Sequence, residues 1–242
     1  MKVDEKKCLE YVTKALAKQN NAEIVFENVG DINLLLRLLK TVIPNPQATE
    51  FPDFVSDYAI VEHFSITSSK ENRKGSIFKI LQNNNNKETE KRTEEWNRSC
   101  LDQLFENNTI RSTVIRNIYN DFSYENFMES LERNLSHHIN SLNKYDVKNR
   151  NTIFLIELQD APMRVFEDGK FKQFYHLHTD RKALEILKQY KELLNVIIFR
   201  SSDRIEIIDM EKYDIVLNCS NYQKDIRGGR LIENKVLTSI KI

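Results

Sequence analysis

Asp53 and Glu62 lie nine positions apart in the segment Phe51 to Ser69, FPDFVSDYAIVEHFSITSS, and residues of these types at this spacing can hold a metal ion. The segment is dense in β-branched and aromatic residues and carries a turn signal at Ser56-Asp57, which predicts a β-hairpin. Asp53 then sits near the hairpin's start and Glu62 in the partner strand, so a tight turn sets the two carboxylates across from each other. Carboxylates converging on one sheet face ionise together only where a cation neutralises them, and hard cations such as Mg²⁺ or Mn²⁺ favour oxygen ligands. An ion held there can activate water and stabilise a phosphoryl transition state. Alternation puts Ile60, Glu62, Phe64 and Ile66 on one face and Val61, His63, Ser65 and Thr67 on the other. Glu62 is therefore a carboxylate among apolar neighbours, where an unpartnered charge is costly. The competing reading has Asp53 opening a turn and a bulge swinging Glu62 outward, which leaves no site.

Other groups carry weaker signals. His63 alternates away from Glu62 and reads as a half-exposed strand histidine, and His138 falls on the apolar stripe of a helix and reads as a satisfied core residue. His176 and His178, two positions apart, project together from an extended segment and could begin a metal site with Asp180, although two imidazoles are few for a transition metal. Glu157, inside the apolar run Thr152 to Leu158, either pairs with a buried base or joins the carboxylate pair. Lys70, Arg73, Lys74 and Lys79 form one modest basic cluster, and Lys224, Arg227 and Arg230 around Gly228-Gly229 form another. Either could contact phosphate or be solvated surface.

These groups must be positioned by a mixed set of elements. Cys8, Leu9, Val12 and Leu16 give a helix from about Asp4 to Lys18, Glu23 to Phe26 suit a strand, and Asp31 caps a second helix. The second helix is apolar nearly all round and is expected to be deeply buried, ending at Pro44 and Pro46. Lys70 to Lys91 read as a polar loop. Trp96, Cys100 and Leu104 continue one helical stripe, and Tyr124, Phe127, Met128, Leu131, Leu135, Ile139 and Leu142 form a cleaner one. Thr152 to Leu158 then read as a buried strand, Glu167 to Lys170 as a hairpin turn, and Thr179-Asp180 as the cap of a helix preceding strands at 196–199 and 204–208. The expected fold is a single α/β domain over residues 1–242, a central mixed sheet flanked by helices, with a helical insertion or subdomain at about 84–148.

Composition restricts the function classes. The 242 residues contain 36 Lys and Arg against 36 Asp and Glu, so total charge does not drive non-specific nucleic-acid binding. The balance is uneven along the chain: seven bases against ten acids over residues 1–69, fourteen against twelve over 70–150, and fifteen against fourteen over 151–242. The acids thus concentrate around the carboxylate pair. Five glycines exclude a glycine-rich phosphate cradle, and three distant cysteines with no CxxC indicate neither a disulfide framework nor a zinc ribbon. No apolar stretch reaches the roughly 20 residues that span a bilayer, and the amino terminus lacks a signal-peptide core, so no membrane association and a cytoplasmic location are expected.

Pro52-Asp53, a short gap, and Glu62 in a strand, with helices before and helix and strand after, resemble the core of the PD-(D/E)XK nuclease superfamily. The resemblance covers roughly residues 20 to 80 and implies a restriction-endonuclease-like fold, an endonuclease that hydrolyses nucleic-acid phosphodiesters, and a Mg²⁺ or Mn²⁺ cofactor. Asp53 and Glu62 would be its metal ligands and catalytic acids, with Glu27 an additional acid. The lysine that the family places two residues after the second acid is here Phe64. Lys70 or Lys74 would then have to reach the site from the following loop, and Arg73, Lys79, Arg227 and Arg230 would contact nucleic acid. The alternative is a catalytically inactive nuclease-like module that binds a protein partner or a second copy through its helices. FPDF and VEHFSITSS also resemble segments of bacterial proteins with no assigned function.

Overall fold

A computed structural model of the chain describes residues 3–18, 24–27, 32–47, 51–72, 75–76, 83–84, 87–88, 90–91, 94–95, 98, 113–119, 122–159, 163–202, 204–227 and 230–236; strands 24–27, 71–72, 75–76, 113–119 and 230–236 are described as backbone. Two compact units are present: residues 1–68 with 123–228, and residues 69–122 with 229–242.

In chain order the first unit contains α1 (Val3–Lys18), β1 (Ile24–Glu27), α2 (Ile32–Thr41), β2 (Ile43–Pro44), β3 (Phe54–Val55) and β4 (Ala59–Ile66). The second unit contributes the short hairpin β5 (Glu71–Asn72) and β6 (Gly75–Ser76), then β7 (Thr113–Tyr119). The first unit resumes with α3 (Tyr124–Leu142), β8 (Asn151–Leu158), the hairpin β9 (Arg164–Glu167) and β10 (Lys170–Phe174), and a 3-10 turn (Leu177–Thr179). It continues with α4 (Arg181–Lys188), β11 (Val196–Arg200), β12 (Ile205–Asp209), α5 (Tyr213–Cys219) and β13 (Ile226–Arg227), and the second unit closes with β14 (Arg230–Val236).

The protein is α/β, built on a mixed seven-stranded sheet in the order β1-β12-β11-β8-β4-β3-β2. β2, β3 and β4 form an antiparallel meander, α3 crosses over, and β8 returns parallel to β4 with Ala59 opposite Asn151 and Ile66 opposite Leu158. A parallel return requires such a crossover, because a tight turn can only reverse the chain. β8 lies between two parallel neighbours and is covered on both faces, which explains its continuous apolar run.

Alternation along β4 and β8 sorts their side chains into two cores. Ile60, Phe64, Phe154 and Ile156 pack with Phe127, Leu131, Leu135 and Ile139 of α3. Ala59, Val61, Ile153 and Leu155 pack with Cys8, Val12 and Leu16 of α1 and with Leu35 and Leu39 of α2. α2 is less buried than its composition predicts: Leu35 and Leu39 face inward, whereas Leu34 is 53% exposed. One stripe of a ten-residue helix suffices to cover the sheet's edge. Ser123 caps α3, its side chain accepting the Asn126 amide, and Asp180 caps α4 by accepting from Lys182 and Ala183. The predicted turn at Glu167 to Lys170 forms with Asp168 and Gly169 both at positive φ, the requirement of a two-residue hairpin loop.

The second unit carries β7 paired antiparallel with β14, Thr113 opposite Val236 and Tyr119 opposite Arg230. Its described residues between 83 and 98 are helical. The expected helical insertion at about 84–148 is therefore divided differently: α3 belongs to the first core, and a strand lies where only helices were read. Among the described residues no helix is long and apolar enough to cross a membrane.

Candidate metal and ion-pair centres

The register Phe54–Val61 and Val55–Ile60 makes Asp53 and Glu62 the next pair along the β3–β4 ladder. Here the ladder's backbone bonds give way to side chains. The Asp53 amide donates to Glu62 Oε2 at 3.0 Å, and the His63 amide donates to Asp53 Oδ2 at 2.8 Å. Each carboxylate thus accepts from the opposite strand's backbone at the same ladder position, and Glu62 is 6% exposed beside Ile60 and Phe64. Burial first, and the neighbouring Glu62 charge second, push the Asp53 carboxyl up to about 6. Among the described residues Asp53 Oδ1 has no hydrogen-bond partner. A like-charge pair with an open oxygen is a donor set that a hard divalent cation fits.

The basic group at this pair comes from α3. His138 Nδ1 lies 2.6 Å from Glu62 Oε1, and its ring stacks on Phe64 at 4.5 Å between centroids and 11° between planes. Phe64, in the position where the resemblance places lysine, thus supports an imidazole that contacts the second acid. His138 is the satisfied stripe residue expected, largely buried at 19% side-chain exposure, and what satisfies it is a carboxylate. Its place on the α3 stripe was legible, but its partner lies 76 positions away in sequence.

None of the remaining candidates is seen at this pair among the described residues. Glu27 lies on β1, four strand spacings from β4, or about 19 Å at roughly 4.8 Å per strand, so it cannot share an ion with Glu62. Lys70 is exposed and belongs to the second unit; Lys74, Arg73 and Lys79 lie outside the described residues, and the Arg230 side chain does as well. Arg227 is exposed and bound to Asp225 at 2.6 Å, so a phosphate would compete with an existing ion pair.

On the opposite face His63 is buried, not half-exposed. Its Nε2 lies 3.2 Å from Glu157 Oε2, and Glu157 also binds Arg200, whose guanidinium covers the Tyr11 ring at 4.4 Å. Burial pulls the His63 pKa down, but hydrogen bonding and charge from Cys8 and Glu157 outweigh it and hold the imidazole up at about 9. Glu157 therefore pairs with the buried His63 and the half-buried Arg200, one of its two expected fates. Cys8, His63 and Glu157 offer ligand atoms within 4.8 Å of one another, yet the guanidinium and the imidazolium already balance the carboxylate.

A third cluster forms around the 3-10 turn. His176 and His178 come together, with ring centroids 5.2 Å apart, but Asp180 turns away to accept from Tyr124 and Tyr175 hydroxyls at 2.7 and 2.8 Å. Glu206 of β12 takes the place expected of Asp180. It is fully buried and accepts from the Leu177 and His178 amides at 3.1 and 3.0 Å, with His178 Nδ1 at 2.7 Å from Oε2. The signal for it was an acid set between isoleucines, Ile205 and Ile207, in an apolar strand.

Comparison of the chain with protein-family models, curated proteins and solved structures finds no match.

Proposed function

We propose that the chain is a divalent-metal-dependent nuclease whose ligands are Asp53 and Glu62. The observation that carries the reading is the juxtaposition of Asp53 and Glu62 at the β3–β4 junction, where the Asp53 amide donates to Glu62 Oε2 and the His63 amide donates to Asp53 Oδ2. The order α2-β2-β3-β4-α3-β8, an antiparallel meander followed by a helix and a parallel strand, supports the restriction-endonuclease-like core.

Asp53 and Glu62 would hold Mg²⁺ or Mn²⁺, which when bound lowers the pKa of a water ligand and neutralises charge on a phosphodiester. Asp53 would contribute Oδ1, since its Oδ2 is held by the His63 amide. Glu62 is oriented by the Asp53 amide on one oxygen and by His138 on the other, so its carboxylate is fixed before any ion arrives. His138 is a positioning residue in this scheme, itself steadied by the Phe64 ring. Phe64 in place of lysine is the observation that favours the rival reading, an inactive module that binds a partner.

The test incubates purified protein with plasmid, single-stranded DNA and RNA in Mg²⁺, Mn²⁺ or EDTA, alongside Asp53→Asn and Glu62→Gln. Metal-dependent cleavage that falls at least ~10²-fold in both variants supports the nuclease. Cleavage that persists equally in both overturns the site. No cleavage, together with calorimetry showing no divalent-ion binding, overturns the nuclease in favour of the binding module.

A further inference from the structure

We propose that His176, His178 and Glu206 form a second metal site, separate from the Asp53–Glu62 pair, that takes a borderline divalent transition ion such as Zn²⁺. Their ligand atoms, two imidazole nitrogens and one carboxylate oxygen, all lie within 4.8 Å of one another. Bonds of about 2.0 to 2.2 Å in a tetrahedron set the ligands about 3.4 Å apart, so a small contraction closes the set. His176 is half-buried at the entry of the 3-10 turn, with its ring edge-on to that of His178 at 5.2 Å between centroids.

Glu206 is the anchor. A fully buried carboxylate is tolerated only where it is hydrogen-bonded and neutralised. The Leu177 and His178 amides fix both of its oxygens, and His178 Nδ1 at 2.7 Å shares a proton with it. An ion at this point replaces that shared proton and gains His176 as its third ligand. Two imidazoles and one carboxylate suit zinc and its first-row neighbours, whereas Mg²⁺ prefers oxygen alone. Three protein ligands also leave a fourth position for water, the pattern of sites that act on a ligand.

Arg204 makes the site regulable by charge. Its guanidinium lies against both ring nitrogens of His176 and 5.6 Å from the Phe174 ring centroid. A cation at that place repels an entering ion and must swing aside, so removing it should favour the metal.

The test titrates Zn²⁺ into chelator-stripped full-length protein by calorimetry and records Co²⁺ visible spectra. Expected are one tight equivalent at this site, affinity about tenfold to a hundredfold weaker in His176→Ala, His178→Ala and Glu206→Gln, tighter binding in Arg204→Gln, and no change in Cys8→Ser. His176→Ala carries the test should Glu206→Gln fail to fold. Binding that is unchanged in both histidine variants overturns the proposal. So does loss of this tight equivalent in Asp53→Asn, or a Co²⁺–thiolate charge-transfer band that vanishes in Cys8→Ser, since these place the ion elsewhere. Failure of the nuclease assay leaves this site untouched, because none of its ligands belongs to that pair.

Discussion

Replacing Asp53 by Asn should make the protein more stable while removing the proposed metal site. The carboxyl is raised from its ordinary 3.8 to about 6 by burial and by Glu62, so the folded state binds this proton more tightly than the unfolded chain does. The sign follows from linkage: this group costs stability above about 6, and the cost disappears as pH falls toward 4. Each pH unit by which a pKa moves is worth about 1.4 kcal/mol, which gives about 3 kcal/mol at full weight. Asp53 is only half-buried, and solvent screening reduces this to about 1 to 2 kcal/mol. Asn keeps an oxygen for the His63 amide at Oδ2's place and offers Glu62 a donor where it had a like charge. Urea unfolding from pH 4 to 8 should therefore show Asp53→Asn ahead by about 1 to 2 kcal/mol at pH 7.5, with the two curves meeting near pH 4. Mg²⁺ at a hundred times its Kd should then stabilise the native sequence by about 2.7 kcal/mol and leave the variant unmoved. A variant less stable than the native protein at pH 7.5, or a gap that does not narrow with acid, would refute the reasoning.

Three further outcomes are expected. His63, held at about 9, contributes stability that is complete below its ordinary 6.5 and is lost as pH rises through 9; His63→Gln should flatten denaturation profiles across that window, removing about 2 to 3 kcal/mol of pH dependence. Asp180→Ala removes the α4 cap and the acceptor of two tyrosine hydroxyls, so chemical denaturation should show a loss of about 3 to 5 kcal/mol, with Asp180→Asn losing less. His138→Ala deprives buried Glu62 of its 2.6 Å partner; cleavage should fall and stability should drop by about 1 to 3 kcal/mol, while His138→Gln, which can still donate, should recover much of both.

Local pattern made much of the fold legible. The alternation of Ile60, Glu62, Phe64 and Ile66 gave the correct face for Glu62, and the 3.6-residue stripe from Tyr124 to Leu142 gave α3 with its buried residues. What alternation cannot give is the partner across a long loop. His63 was read as half-exposed because the acid beside it in sequence, Glu62, points to the other face, yet Glu157, 94 positions later, arrives two register positions along on the adjacent strand β8 and pairs with it. Glu206's role was hidden for the same reason, since its partners come from a turn 28 positions earlier. β7 was missed because its pairing strand, β14, lies at the other end of the chain. Asp180 failed differently: its capping role was read correctly, and a carboxylate committed to two amides and two hydroxyls cannot also serve a metal beside His178.

Strand β4 ties two ionic systems to one register. Glu62 enters the α3 face toward His138, and His63 enters the α1 face toward Glu157 and Arg200. The two are joined through Asp53, which accepts from the backbone amide of His63 while donating its own amide to Glu62. A one-residue slip of β4 would exchange the faces, driving Glu62 into the apolar contacts of α1 and placing His63 among the aromatics of α3. Both charges would then be buried without partners, at a cost of several kcal/mol each, so the arrangement that prepares the carboxylate pair for a cation is also what pins the strand. Swapping the two residues, Glu62→His with His63→Glu, keeps composition and total charge but should abolish cooperative unfolding. A swapped protein that melts like the native one would show that the apolar pattern alone sets the register.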